Sequence, residues 1–227
     1  MLISDIIGPV MVGPSSSHTA GAVRIGNVAR RLLSQPPVSA EIFLHGSFRA
    51  TGRGHGTDRA IVAGLLGMKV DDPSIPDSFR IAQEQGLQFK IYGIDMGDSF
   101  HPNTAKLILK SSDGETLEIV ASSVGGGAIR VVQIDGLDVS FSGELPTLIV
   151  QNLDQPGHVA EVTSTLQHKG INIANMQLVR KNRGGKAAMV LECDQEIPRD
   201  AISWLSHLEG VTKVICLSME DENVHFS

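Results

Sequence analysis

The last third of the chain alternates short apolar runs with two helix-like segments, and this order is the feature that most restricts the fold. The turn Asp154-Gln155-Pro156-Gly157 precedes the first of these helices, and Pro198 opens the second, where proline is tolerated in the first turn. The spacing of apolar residues predicts strands at 148–150, 171–179, 188–192 and 211–217 and helices at 158–169 and 199–208. The order βαββαβ predicts an antiparallel sheet with two helices on one face.

The sequence before this unit predicts a mixture of helices and strands. An apolar helical face, formed by Ala22, Ile25, Ala29 and Leu32, ends before Pro36-Pro37. A strand is predicted at 40–46, a glycine-rich turn at 52–58, and a helix that begins with Asp58 as its cap.

A shorter helix is predicted at 77–85, and β structure extends from 87 to 141. Asp113-Gly114 and Asp135-Gly136 each lie between apolar runs, which is typical of hairpin turns. The pattern changes around Ser142-Gly143-Glu144. We therefore predict an α+β protein with an N-terminal α/β domain over 1–143, a ferredoxin-like domain over 146–218 and a loose polar tail over 219–227.

Composition excludes several functional classes. Apolar residues make up 41% of the chain and charged residues 19%, which indicates a globular protein. The net charge of -6 argues against nucleic-acid binding, because phosphate contacts require clustered Lys and Arg. The N-terminal residues lack the pattern of a secretory signal, and no apolar run approaches the roughly 20 residues of a membrane helix. A cytoplasmic protein that binds neither nucleic acid nor membrane is the expectation.

The two cysteines, Cys193 and Cys216, lie in apolar, strand-like contexts and have no metal-type spacing. We expect buried, reduced thiols, since free cysteine often behaves as a small apolar residue. Two cysteines do not suffice for an iron–sulfur cluster, which usually takes four.

The stretch Gly13-Pro14-Ser15-Ser16-Ser17-His18-Thr19 places four hydroxyl side chains beside an imidazole. Serine is a favoured helix cap, but one cap accounts for one serine only. The free N–H groups of a first helical turn attract anions, and serine hydroxyls add uncharged donors. A cradle for a small carboxylate or phosphate is the alternative to a simple cap.

The stretch 52–58, GRGHGTD, has two comparable interpretations. His55 and Asp58 could form an imidazole–carboxylate pair that orients a general base. Alternatively, the stretch is a flexible turn in which Asp58 only caps the next helix. A surface turn is the favoured explanation for the cluster Phe100 to Thr104.

These motifs, in their order along the chain, resemble those of the β subunit of the iron–sulfur-dependent L-serine dehydratases. The resemblance rests on GPSSSHT, the GHGTD turn, His101-Pro102-Asn103-Thr104 and the SVGGG stretch at 123–127. The C-terminal unit, with DQPG and INIANM, resembles an ACT domain, a small-molecule regulatory module. The N-terminal domain would then be of the serine-dehydratase β type, which is similar to the allosteric substrate-binding domains of some phosphoglycerate dehydrogenases.

The resemblance implies an ammonia-lyase that converts L-serine to pyruvate and ammonia without pyridoxal phosphate. A 4Fe-4S cluster, held by cysteines of an α subunit rather than by this chain, would act as a Lewis acid on the serine hydroxyl. No metal ligand is therefore expected here. The expected partners are that α subunit and, through the ACT domain, a second copy of this chain.

The resemblance also implies the site residues. The expected catalytic residues are Ser16, Ser17, His18, Thr19, His55 and Asp58. His55, oriented by Asp58, is the candidate for proton transfer, and a deprotonated serine of the cluster is the rival base. Further substrate contacts are expected from Ser15, Asn103, Gly125, Gly126 and Gly127.

For the ACT unit, the matching ligand positions are Asn152, Asp154, Gly157 and Asn172. A carboxamide can hold the carboxylate or the ammonium group of an amino acid. A carboxylate at position 154 favours an ammonium group or a cation instead. A domain that mediates assembly only is the alternative.

A purely regulatory amino-acid sensor is the second functional class that the sequence leaves open. Such a sensor has less need of both the SSSHT and GHGTD motifs. The sequence contains no dinucleotide fingerprint and no nucleophile elbow of the type G-x-S-x-G, which argues against a dehydrogenase and a serine hydrolase.

Overall fold

The computed structural model describes residues 11–13, 15–33 and 35–218 of the chain. Pro14 of the serine-rich corner and the predicted tail over 219–227 lie outside the described residues. The contacts divide the chain into two compact units, and the division falls between Gly136 and Leu137. The predicted boundary after residue 143 stays a prediction.

The first unit begins with a short π-helical turn, Ser16–Ala20, that continues directly into the first α-helix. Its helices are α1 (Gly21–Leu32), α2 (Gly46–His55), α3 (Thr57–Leu65) and α4 (Ser78–Glu84), with a 3₁₀ turn at Ile75–Asp77. Its strands are β1 (Pro37–Leu44), β2 (Gln88–Gly93), β3 (Thr104–Ser111), β4 (Thr116–Gly125) and β5 (Ala128–Ile134). The helix predicted to end before Pro36-Pro37 and the short helix predicted at 77–85 are confirmed.

The strands of the first unit follow the order β2-β1-β3-β4-β5 in one sheet. β1 pairs with β2 in parallel, whereas the other neighbours are antiparallel. In the β3–β4 register, Thr104 lies opposite Ser122. This register brings the stretch 101–104 next to the stretch 122–128, although the two are separated along the chain.

Helix α1 presents the predicted apolar face to the interior, because Ala22, Ile25 and Ala29 are fully buried. Its contact with α3 is unusually close. A methyl group at Gly26 would lie 2.9 Å from the Gly64 Cα atom and would overlap the Ile61 carbonyl oxygen. Two glycines therefore allow the two helix backbones to touch.

The prediction of a glycine-rich turn at 52–58 is wrong for most of this stretch. Residues up to His55 continue helix α2, which is anchored by the fully buried Phe48. Only Gly56 adopts the left-handed conformation, with φ of 71°, and it separates α2 from α3. Glycine lowers helix propensity, but tertiary packing overrides it here.

Asp58 is not the cap of the following helix, because α3 already begins at Thr57 and Gly56 occupies the cap position. The Asp58 carboxylate lies in the first turn, where it accepts the backbone N–H of Arg59 at 2.8 Å. A carboxylate in this place complements the positive end of the helix dipole.

The second unit contains the predicted βαββαβ order after one additional strand. Its elements are β6 (Leu137–Phe141), β7 (Thr147–Leu153), α5 (His158–His168), β8 (Ile173–Arg180), β9 (Lys186–Cys193), α6 (Arg199–Ser206) and β10 (Val211–Leu217). β7 to β10 form an antiparallel sheet in the order β10-β7-β9-β8. The α+β class is confirmed.

The core of the second unit lies between this sheet and its two helices. Leu148, Val162, Leu166 and Leu191 are fully buried in it. Cys193 belongs to the same core, and burial raises the pKa of its thiol to about 11. Cys216 is only partly buried, so the prediction of two buried thiols holds for Cys193 alone.

Candidate functional site

The serine-rich corner is a π-helical turn that Ser15 caps. Ser15 is extended, its Oγ accepts the His18 backbone N–H at 3.2 Å, and its carbonyl oxygen accepts the Thr19 N–H at 2.9 Å. One serine therefore acts as the cap, as the simpler interpretation of the motif required. The hydroxyls of Ser16 and Ser17 have no hydrogen-bond partner within the part of the chain that the structure describes.

The imidazole of His18 is held by two hydroxyl groups. Its Nδ1 lies 3.3 Å from Ser15 Oγ, and its Nε2 lies 3.1 Å from the Oγ of Ser47 on α2. The ring also packs edge-on against His55, with 5.1 Å between ring centroids, and against Phe48 at 5.4 Å. The structure thus brings the SSSHT and GHGTD motifs together through their histidines.

Burial lowers the pKa of His18 below its usual value of 6.5. The neighbouring His55 lowers it further, whereas a backbone hydrogen bond at Ser47 opposes this shift. His18 is therefore neutral at pH 7. A neutral imidazole can accept a proton, which is what a general base must do.

The predicted pair between His55 and Asp58 is not present in the described residues. His55 ends α2, Gly56 reverses the backbone, and Asp58 belongs to the first turn of α3. A helix break therefore separates two residues that would share a face on one continuous helix. His55 instead meets His18, and Asp58 binds its own helix.

The stretches 101–104 and 122–128 lie at one end of the sheet, next to the π-helical turn and the start of α1. Thr104 Oγ1 and Ser122 Oγ are 2.7 Å apart, and the Ser123 N–H donates to the Asn103 carbonyl oxygen at 2.9 Å. Ser123 also packs directly on the backbone of Gly21, where a methyl group would overlap its hydroxyl. Asn103 thus acts through its backbone in this arrangement.

Gly125, Gly126 and Gly127 form the end of β4 and the tight loop before β5, and all three have positive φ. Arg24 of α1 donates from Nη1 to the Gly127 carbonyl oxygen at 2.9 Å. The glycines therefore shape a loop that is tied to the helix following the serine-rich corner.

Three hydroxyl oxygens near these motifs are buried without a partner among the described residues. They belong to Thr19, Thr57 and Ser123. A buried hydroxyl without a hydrogen bond is costly, and it marks a place for water or ligand. Hydroxyl groups can donate to an anion without introducing a positive charge.

Sequence reasoning missed Ser47, Thr57, Ser123 and Arg24. Thr57 and Ser123 lie inside two of the predicted motifs. The chemical argument for those motifs rested on His55 and on the glycines, so neither residue was predicted. Ser47 and Arg24 belong to no chemical motif. Only the tertiary structure shows that Ser47 contacts His18 of the serine-rich corner and that Arg24 binds the glycine loop.

The positions predicted for a regulatory ligand have different surroundings in the second unit. Asn152 is buried, its Nδ2 donates to the Leu153 carbonyl oxygen, and its Oδ1 has no partner among the described residues. Gly157, with φ of 107°, is the residue before α5. Asn172 donates to Asp194 at 2.6 Å.

The carboxylate of Asp154 forms hydrogen bonds within the second unit. It accepts from Arg180 at 2.8 Å and from the Gly184 N–H at 3.0 Å. The Gly184 N–H and the Arg180 side chain lower the pKa of this carboxyl group. Asp154 therefore fastens the turn before α5 to the hairpin between β8 and β9.

A groove of about 680 Å³ lies between α5 and α6, where Trp204 is half exposed. None of the predicted site residues lines it.

In the described ranges, no group of three His, Cys, Asp or Glu side chains is placed to hold a metal ion. Likewise, none of the described helices combines the length and the apolar character needed to cross a bilayer.

Comparison with known proteins identifies the family of this chain. The family model described as "Serine dehydratase beta chain" matches residues 4–133. The chain is 38% identical over 208 residues to the "L-serine dehydratase, beta chain" of Peptoniphilus asaccharolyticus, an alignment that covers 92% of this chain and 94% of that protein. It is 40% identical over 212 residues to the "Probable L-serine dehydratase, beta chain" of Bacillus subtilis (strain 168), covering 93% and 96%.

A third relative has a different printed name. The chain is 25% identical over 194 residues to a "D-3-phosphoglycerate dehydrogenase" of Bacillus subtilis (strain 168), which covers 85% of this chain but 36% of that protein. The family match, by contrast, spans more than half of the chain and includes both motifs that meet at His18 and His55. The chain belongs to the serine dehydratase beta chain family.

Proposed function

We propose that this chain is the β subunit of an iron–sulfur-dependent L-serine dehydratase, which converts L-serine to pyruvate and ammonia together with an α subunit. The contact of His18 with His55, 5.1 Å between ring centroids, is the observation that carries the proposal. It joins the two motifs that hold the acid–base groups. The similarity to dehydratase beta chains along nearly their whole length supports the same conclusion.

The reaction requires loss of the Cα proton and departure of the β-hydroxyl group as water. The resulting enamine tautomerises to an imine, and one water molecule hydrolyses it to pyruvate and ammonia. This chain contributes binding of the carboxylate and transfer of the proton. In the proposal, the hydroxyls of Ser16, Ser17 and Thr19 hold the carboxylate.

His18 and His55 are the candidates for proton transfer. His18 is neutral at pH 7, because burial and the neighbouring imidazole lower its pKa. An imidazole in this state takes up a proton as the Cα–H bond breaks. His55 lies at the end of α2 on the exposed side of the pair and is the candidate for direct contact with the substrate.

A 4Fe-4S cluster would assist departure of the hydroxyl group as a Lewis acid. The described residues of this chain do not fit such a group, since no three-ligand set is present among them and Cys193 lies in the core of the second unit. The proposal therefore assigns the cluster to cysteines of the α subunit.

Anaerobic pyruvate formation from L-serine tests the proposal. Pyruvate formation is compared for this chain alone, the α chain alone and the two chains co-expressed, with the two samples that contain the α chain at equal cluster content. We expect pyruvate only from the co-expressed pair. Equal turnover by the α chain without this chain would contradict the proposal.

A regulatory amino-acid sensor is the second candidate function, and the similarity to part of a D-3-phosphoglycerate dehydrogenase favours it. In this case the α chain alone would form pyruvate, and this chain would only change the dependence of the rate on an added amino acid. The same experiment therefore separates the two functions.

We also propose that the second unit is an ACT domain that binds an amino acid and associates with a second copy. Its βαββαβ order and its strand order β10-β7-β9-β8 support this assignment. Asn152, with an unpartnered Oδ1, and Gly157 are better placed as ligand contacts than Asp154, whose carboxylate already binds Arg180 and Gly184.

A further inference from the structure

Ser47 lies at the start of α2 with its backbone fixed on both sides. Its N–H donates to the Pro102 carbonyl oxygen at 2.8 Å, and its carbonyl oxygen accepts from Thr51 Oγ1 at 2.8 Å. Gly46, just before it, approaches the Pro102 backbone so closely that a methyl group would overlap it. The Ser47 side chain is thus presented from a rigid position.

The hydroxyl of Ser47 is not needed to cap its helix. The Pro102 carbonyl oxygen already accepts the N–H groups of Ser47 and Phe48, at 2.8 and 3.4 Å. Helix α2 has no side-chain cap. The hydrogen bond between this hydroxyl and His18 Nε2, at 3.1 Å, is therefore not a by-product of helix capping.

The distances around His18 fit a neutral ring that accepts on one side and donates on the other. Ser15 Oγ accepts the His18 backbone N–H, and its own proton is free to be donated to His18 Nδ1, 3.3 Å away. A neutral imidazole that accepts at Nδ1 carries its proton on Nε2. This Nε2–H then donates to Ser47 Oγ.

We propose that Ser47 is a positioning residue that holds His18 in the Nε2–H tautomer, with the Nδ1 lone pair directed at the Ser15 hydroxyl. Ser15, His18 and Ser47 would form a row of hydrogen bonds. Hydrolases contain a comparable row, in which a hydroxyl binds a histidine and a third group orients that histidine. Here the third group is a neutral hydroxyl rather than a carboxylate. Such an acceptor orients the ring but stabilises an imidazolium less than a charged acceptor does.

The catalytic consequence rests on the proposed dehydratase function. His18 in this tautomer can take the proton of Ser15 at Nδ1, and the proton on Nε2 stays on the ring. Without the Ser47 hydroxyl the ring keeps only a backbone contact on the α2 side, and its orientation is less restricted. The correct tautomer is then less populated, and turnover falls while binding of the carboxylate by the serine cluster is retained.

The test uses Ser47→Ala, the conservative variant Ser47→Thr and the control Ser78→Ala. Ser78 is also a buried serine near the start of a helix, and its hydroxyl donates to the Arg59 carbonyl oxygen at 2.8 Å, outside the site. Nitrogen-15 NMR of labelled histidine, with His18→Gln for assignment, reports the tautomer in this chain without the α subunit. Circular dichroism establishes that each variant is folded.

We expect Ser47→Ala to reduce the Nε2–H tautomer of His18 and Ser47→Thr to restore it. In the complex with the α subunit, we expect Ser47→Ala to lower kcat about 10- to 100-fold, the range for partners that orient other functional histidines, and to change KM less. The acidic limb of the kcat profile should move to lower pH, because the imidazolium loses a hydrogen-bond acceptor.

An unchanged His18 tautomer in Ser47→Ala would overturn the inference, as would equal effects of Ser78→Ala on the tautomer and on the pH profile. Failure of Ser47→Thr to restore the tautomer would overturn it as well. If the wild-type complex forms no pyruvate, the proposed function fails independently, and the NMR measurement still decides the role of Ser47.

Discussion

At the residue scale, the candidate site contains two histidines whose rings meet from different helical segments. His18 is half-buried in the π-helical turn, whereas His55 is exposed at the end of α2. Their rings are in edge contact, and His55 lowers the pKa of His18. Two side chains that influence each other in this way should act as a unit.

We expect His55→Ala to lower kcat of the assembled enzyme about 10²- to 10⁴-fold, the range for loss of a general acid or base. His18→Ala should lower kcat by a similar factor. The double variant should have a kcat only slightly below that of either single variant, because the effects of substitutions at interacting residues are not additive. Steady-state pyruvate formation measures this, with the exposed His207→Ala as the control. Unchanged turnover in His55→Ala would remove His55 from the mechanism.

The lowered pKa of His18 predicts a pH dependence of stability. Between the folded pKa and the unfolded value of about 6.5, the unfolded chain binds more protons than the folded chain. The free energy of unfolding therefore rises with pH through this interval and levels off above the unfolded pKa. His18→Gln should flatten the rise.

Urea unfolding from about pH 5 to about pH 8 measures this slope, since the interval spans histidine titration. His207→Gln serves as the control because it removes an exposed histidine of the second unit. If the free energy of unfolding of His18→Gln rises with pH as steeply as that of the wild type, His18 does not contribute to the pH dependence.

At the scale of elements, the contact of α1 with α3 holds the serine-rich corner in place. The π-helical turn runs directly into α1, and α3 follows His55 after one residue. Gly26 and Gly64 let the two helix backbones approach closely. The position of the site thus depends on two residues that carry no chemistry.

We expect Gly26→Ala to destabilise the protein by about 1–3 kcal/mol, because the added methyl group meets backbone atoms that cannot move aside easily. Gly54→Ala is the matched control. Its added methyl group would have no neighbour within 4 Å, and it lies inside α2. Alanine in a helix is more favourable than glycine by roughly 0.5–1 kcal/mol, so this variant should be stabilised.

Thermal and urea unfolding of both variants give the comparison. Equal stability of Gly26→Ala and the wild type would contradict the close helix contact. Loss of stability in Gly54→Ala would contradict the open surroundings of that glycine.

At the scale of the whole molecule, each unit has its own buried core. Leu166 of α5 is fully buried, whereas Leu178 of β8 is 55% exposed. We expect Leu166→Ala to cost about 2–5 kcal/mol, the range for a core leucine, because it removes apolar contacts and leaves a cavity. Leu178→Ala is the same chemical change at the surface and should stay within roughly 0.5 kcal/mol.

Urea unfolding of this chain without the α subunit measures both changes. Equal costs for the two variants would show that the helical face of the sheet is not the core of the second unit.

The sequence predicted the elements well because their signals are local. Turn residues mark the hairpin at Asp113-Gly114, Pro36-Pro37 mark the end of α1, and the periods of apolar residues mark the βαββαβ unit. It failed where packing opposes local propensity. The glycines at 52 and 54 predicted a turn, but α2 continues through them because Phe48 is buried beneath it.

The sequence by itself determined the motifs that carry His18 and His55 and the order of the elements around them. Only the tertiary structure decided their partners. His18 binds Ser47, 29 residues away along the chain, and His55 faces His18 rather than the nearby Asp58. Side-chain pairing across the fold depends on helix packing and strand register, which are set by burial of the whole core and not by the residues of any one motif.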